Sequence, residues 1–196
     1  MRQNNRDKIL KTARKMFLLH GYNGISIRTI SSKAKLTTGA VYFHFKNKKE
    51  IYKTICIEAI DILFFKFKEG IESKKNPQQK LLSTFDSYLS FFYENRDHYN
   101  LLMEYKSAYD SEDDEINEIA LKLRKLLDIM ALNIKAGVDG QVFRKIDAEK
   151  LALLLASIAE GMLHYKKFGI FEEVKISDNN FRQFMVDVIG NGILNK

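Results

Sequence analysis

Pro77 is the only proline in this chain of 196 residues, and ten glycines complete its supply of strong structure breakers. An all-β fold needs a turn about every ten residues, so this chain has too little turn chemistry for one. The expected fold class is therefore all-α. With 45% hydrophobic and 29% charged residues, such a helical chain can bury a core and remain globular. The longest nearly apolar stretches, around 60–67 and 151–158, fall well short of the roughly 18 to 20 residues that cross a bilayer. Residues 1–14 carry charges throughout and lack the apolar stretch of a secretory signal. Cys56 stands alone, which excludes an intrachain disulfide. A cytoplasmic protein with no membrane partner is expected.

Helical periodicity predicts about nine helices. Ile9, Leu10, Ala13, Phe17 and Leu18 line one face of a first helix that stops at Gly21. Ser26 can cap a short second helix through Ile27, Ile30 and Ala34, and Thr37 a short third one through Val41 to Phe45. Asn47, with Glu50 three residues on, opens a long fourth helix carrying Ile51, Ile55, Ala59, Ile62 and Phe65. Asn76-Pro77 starts the fifth, with Leu81, Phe85, Tyr88 and Phe92 on one stripe. The sixth runs from Arg96 to about Tyr109. The acidic run Asp110–Glu115 reads as the solvated N-terminus of the seventh, which continues through Ile119, Leu126, Met130 and Ile134. Asp147 caps the eighth, to about Phe168, and Ser177 or Asp178 starts a ninth that ends near Leu194.

Charge is distributed unevenly. Residues 1–55 hold 13 basic against 2 acidic residues, a net +11, whereas the remainder holds 19 against 23, a net −4. Such asymmetry points to an anionic partner for the first segment, nucleic acid before membrane surface. Residues 28–50 read as helix, tight turn, helix, with basic and hydroxyl side chains gathered on the second helix and just after it. A helix that enters a major groove about 12 Å wide must be slim at its leading end, and Thr38, Gly39 and Ala40 supply little bulk there. Tyr42, His44, Lys46 and Lys48 are placed to hold phosphates, and Arg28 is long enough to reach a guanine edge.

Arg6, Ile9-Leu10, Ala13, Phe17 and Gly21-Tyr22, then Ser26-Ile27 and Ile30, then Leu36-Thr37, Gly39-Ala40-Val41-Tyr42, His44-Phe45, Lys48 and Glu50 resemble the DNA-binding domain of the tetracycline-repressor (TetR) family. The resemblance covers roughly residues 6–52. A weaker one, through Ile134–Gly137, Gly140, Val142-Phe143, Asp147–Glu149 and Ala159–Met162, is to the seventh-to-eighth helix passage of that family. It implies a helix-turn-helix domain over 1–46 and a ligand-binding and dimerisation domain over 47–196. It further implies a homodimer on a palindromic DNA operator and a small-molecule signal. By position, Arg28, Thr38 and Gly39 match base-facing residues, and Thr37, Tyr42, His44 and Lys48 match residues that grip phosphates. Lys35 departs from the glycine common at that point in the turn and can add a phosphate contact.

His20, His44, His98 and His164 show no metal-ligand spacing with one another or with Cys56, and no phosphate loop, nucleophile elbow or carboxylate pair is visible. Neither a metal nor a cofactor is expected. Phe85, Tyr88 and Phe92, facing Tyr99, Met103, Met130, Met162 and Tyr165, could line a cavity for a small apolar or aromatic ligand, although core filling is the simpler role for each. The eighth helix has a small-residue edge, Ala152, Ala156 and Ala159, leading to Leu163. The ninth carries Phe181, Phe184 and Val188, so the two helices could build a four-helix interface with a second copy. The rival readings are a DNA-binding protein answering to a protein partner, a basic small-molecule enzyme and, last, a peripheral membrane protein.

Overall fold

The computed structural model describes residues 2–108 and 114–194. Tyr109 and the start of the acidic run, Asp110–Asp113, lie outside the described residues. The helices are α1 (Arg2–His20), α2 (Ile27–Lys33), α3 (Thr38–His44), α4 (Lys48–Glu72), α5 (Pro77–Glu94), α6 (Arg96–Ala108), α7 (Asp114–Asp139), α8 (Ala148–Lys167), α9 (Ile170–Glu173), α10 (Asp178–Met185) and α11 (Asn191–Ile193). A π-helical turn, Val186–Gly190, joins α10 to α11, so the ninth helix expected from the sequence is one irregular helical run. The single turn of α9 was not foreseen. Among the described residues no helix is long and apolar enough to cross a membrane, and no cluster of three potential metal ligands occurs.

Helix starts follow local hydrogen-bond chemistry. The side chains of Ser26, Thr37, Asp147 and Ser177 accept from the backbone N–H groups of Thr29, Ala40, Lys150 and Asn180 respectively, which satisfies donors that a helix N-terminus leaves open. Asn47 Oδ1 accepts from Glu50 N at 2.8 Å while the Glu50 carboxylate accepts from Lys46 N at 2.6 Å, a capping exchange close to the expected one. Asn76 Oδ1 accepts from Gln78 N, and Pro77 takes the first helical position, where no N–H is needed.

The chain divides into two compact units. The first comprises Met1–Leu63 with Ser90–Lys122, the second Phe64–Leu89 with Leu123–Lys196. In the first, α1, α2 and α3 bury Ile9, Ala13, Phe17, Ile30 and Val41, each fully. Phe17 meets Tyr52 edge-on with ring centroids 4.7 Å apart, Tyr22 closes the group at 5.3 Å from Tyr52, and Tyr105 stacks on Tyr52 from α6. The Tyr52 hydroxyl donates to Leu101 O at 3.1 Å. Gly24 belongs to this packing, since a Cβ there would collide with His20 O. In the second unit the Phe143 ring lies on α7 where only Gly137 leaves room for it. Gly70 lets α4 approach Ser83 and Ser87 of α5, and the Ser87 hydroxyl donates to Lys66 O. Arg182 forks onto Asp86 at 2.6 and 2.9 Å. Phe65, expected on the buried stripe of α4, is 62% exposed, and Leu63 and Phe67 are buried instead.

One polar pair in the first unit has a pH signature. Arg14 Nη1 of α1 donates to His98 Nε2 of α6 at 2.6 Å, so the imidazole is neutral. Burial first, and then the Arg14 charge, push His98 down to about 4 against the pull of Asp97. The unfolded chain takes up that proton near pH 6.5 and the folded chain does not, so this stabilisation is complete above pH 6.5 and falls away towards pH 4. The unfolding free energy should be lower at pH 5 than at pH 7.5 by on the order of 1–2 kcal/mol, as read from denaturant titrations. His98→Gln, which cannot titrate, should remove most of that difference; an unchanged pH dependence would show that other groups control it.

Candidate nucleic-acid interface

The turn between α2 and α3 has a specific geometry. Leu36 N–H donates to Ser31 O at 2.9 Å and Lys35 N–H to Ser32 O at 3.0 Å, the paired bonds of a Schellman ending. This places Lys35 in the left-handed region, φ 51, where glycine is the usual residue. The buried Ser31 hydroxyl donates to Arg28 O and shares a 3.3 Å hydrogen bond with the Thr38 hydroxyl. The first residue of α3 is thereby held to α2.

Val41 and Phe45 anchor α3 inward, at 0% and 2% exposure, and the Arg6 guanidinium lies 5.3 Å from the Phe45 ring centre. Of the residues expected to meet DNA, Arg28, Lys35, Thr37, Gly39, Tyr42 and Lys46 are exposed, whereas Thr38, Ala40, His44 and Lys48 are half-buried. Phe43, which the sequence reading did not single out, is 67% exposed. Lys48 has a role within the chain: its ammonium donates to Tyr22 O at 2.7 Å and Ile25 O at 3.0 Å and sits 4.2 Å from the Tyr22 ring centre. It ties the α1–α2 loop to the start of α4, and desolvation moves its pKa below the usual lysine value. Gly39 is under no such demand, because a Cβ there would meet only Thr37 Oγ1 at 3.9 Å.

Residues 9–55 match the family model described as bacterial regulatory proteins, tetR family. These residues form a TetR-type segment. The family's members are described as bacterial regulatory proteins. The HTH-type transcriptional repressor KstR2 of Mycolicibacterium smegmatis is 29% identical over 80 residues, 41% of this chain and 39% of that protein. The chain thus matches about two fifths of the length of the curated relatives KstR2 and TetC. QacR, an HTH-type transcriptional regulator of Staphylococcus aureus, is 26% identical over 191 residues, covering 94% of this chain and 97% of QacR. AibR, solved in complex with isovaleryl coenzyme A and operator DNA, shares the fold with a TM-score of 0.65 at 17% identity, over 80% or so of each chain (79% and 83%).

Outside this TetR-type segment, the residues expected at a ligand site are distributed over both units. Phe92, Tyr99 and Met103 belong to the first; Phe85, Tyr88, Met130, Met162 and Tyr165 belong to the second. Phe92 and Tyr99 pack edge to face at 4.9 Å, and Phe85, Met130 and Met162 are buried. Tyr165 corrects the expectation, for at 60% exposure it faces solvent. The dimer surface needs a larger correction. Ala152, Ala159 and Leu163 are buried within the single chain, and Ala156 and Phe181 are half-buried. The open apolar positions are Leu153, Leu154, Tyr165 and Phe168 on or just after α8, with Phe184 on α10 and Val188 in the π turn.

A left-handed lysine carries strain that glycine does not, on the order of 1–2 kcal/mol, offset in part by the greater freedom of glycine in the unfolded chain. Lys35→Gly should therefore raise unfolding stability by up to about 1 kcal/mol. A drop in the denaturation midpoint would show that the Lys35 side chain stabilises the fold by more than its backbone strain costs.

Proposed function

We propose that the chain is a repressor that binds a palindromic operator as a homodimer and is released or recruited by a small, mostly apolar molecule. The observation that carries this reading is the outward face of α3. Its inward side chains are anchored, its second residue is a glycine that the chain's own packing does not require, and it lies in a segment of net charge +11. An exposed glycine that the chain's own packing does not require is consistent with close approach by a partner, and a base edge or phosphate backbone in a major groove fits the width and the charge. KstR2 is described as a repressor, and AibR was solved with operator DNA and an acyl coenzyme A; both support the reading by kinship. The helix-turn-helix would sit over residues 1–46, with the sensing and dimer elements in 47–196. Within the first unit, the buried rings of Phe92 and Tyr99 favour an apolar ligand.

Gly39→Ala separates folding from recognition. Alanine is favoured over glycine inside a helix by about 1 kcal/mol, and nothing in the chain obstructs it, so the variant should be as stable as the parent or more so. Its affinity for selected duplexes should nevertheless fall, as read by fluorescence anisotropy. Equal affinity would remove the close approach on which the reading rests.

The second copy is expected on the open faces of α8 and α10. Gly161 meets nothing within 4 Å at the position of a Cβ, and Leu154, Tyr165, Phe184 and Val188 are more than half exposed, a composition typical of subunit interfaces. Leu154→Lys and Phe184→Glu should leave helical content intact while giving a monomer in sedimentation, with operator affinity reduced. A variant pair that remained dimeric would place the interface elsewhere. Control by a protein partner is the competing reading; it predicts that no apolar compound changes DNA affinity.

A further inference from the structure

The exposed face of α3 has an aromatic ring at its centre. Val41 is buried, and Phe43 lies two residues further along α3, so at 100° per residue it points about 160° away from it. Gly39, four residues earlier, precedes it on the same outward stripe. Tyr42 and His44 flank it on opposite sides, and the His44 ring stands edge-on to the Phe43 ring with centroids 5.1 Å apart. Phe43 is 67% exposed and Tyr42 55%. The most outward side chain of the helix is therefore an apolar one without a hydroxyl, while the groups able to hydrogen-bond stand at its two shoulders.

We propose that Phe43 is a specificity-determining residue that packs on the 5-methyl group of a thymine in each operator half-site. The proposal rests on the operator-binding reading above. Of the groups that base pairs display in the major groove, the thymine methyl is the one apolar contact, and every other edge offers donors or acceptors. A phenyl ring set against such a donor or acceptor would strip its water and return no hydrogen bond, which is unfavourable. Tyr42 and His44, at the shoulders, suit the two phosphate walls of the groove. Gly39, without a side chain, lets the helix settle deeply enough for the ring to reach the base.

The test uses the full chain and duplexes that it selects from a random-sequence library. Each thymine of a selected half-site is replaced in turn by deoxyuridine, which removes the methyl group and leaves the pairing intact. One position per half-site should weaken binding about fourfold, the effect of one buried methyl group. Phe43→Ala should be indifferent to the same replacement, and Phe43→Leu should retain part of the response. Thermal melts verify folding, which an exposed position should not disturb. Identical deoxyuridine scans for the parent and Phe43→Ala, or a Phe43→Ala loss equal on all duplexes, would overturn the proposal and leave operator binding in place. If the parent selected no sequence at all, the operator reading itself would fall, and the role of Phe43 with it.

Discussion

Tyr52 is the side chain on which the first unit turns. Its ring receives Phe17 from α1, Tyr22 from the loop after α1 and Tyr105 from α6, and its hydroxyl is spent on Leu101 O. A ring this size buries on the order of 150–250 Å², and here one ring joins α4 to the end of α1 with its following loop and to α6, segments far apart in sequence. Lys48, one turn earlier on α4, closes the same corner from the charged side by holding two loop carbonyls and lying against Tyr22. The short helices α2 and α3 have seven residues each, too few to be stable alone. Their orientation depends on this aromatic corner and on the buried side chains beneath them.

Elements governed by local chemistry were legible from the sequence. Ser26, Thr37, Asn47 and Asp147 announce helix starts because a cap is decided within three or four residues of chain. Properties set by distant neighbours were less accessible. Phe65 follows the stripe of α4 in sequence, yet a 25-residue helix passes from one set of neighbours to another, and the buried face rotates on the way. Both faces of α8 are apolar, and the row Ala152, Ala156, Ala159 suggests close contact with a partner. The structure uses two of those alanines inside the chain and leaves Leu153 and Leu154 outside.

The segment of α2, α3 and the start of α4 shows the same division. Lysine at position 48 announces a positive charge near the recognition helix but not which oxygen it will hold, since Tyr22 and Ile25 lie more than twenty residues away. Phe43 gave no signal because an aromatic between Tyr42 and His44 reads as core filler until the burial of Val41 establishes the phase of the helix. Lys35 was the exception: its departure from glycine marked the turn, and the left-handed backbone there is the physical counterpart.

The segment from Phe143 to Leu194 is fastened at both ends, by the antiparallel bridge between those two residues and by Arg144 N–H donating to Ile193 O. Its two ends meet, so α8, α10 and everything between them form a closed loop whose conformational freedom is curtailed before any encounter with another molecule. A surface ordered in advance spares the encounter the entropic cost of arranging it. A second copy docking on the apolar faces of α8 and α10, as proposed, would meet a template already arranged and not one assembled on contact, which would favour rapid, selective association.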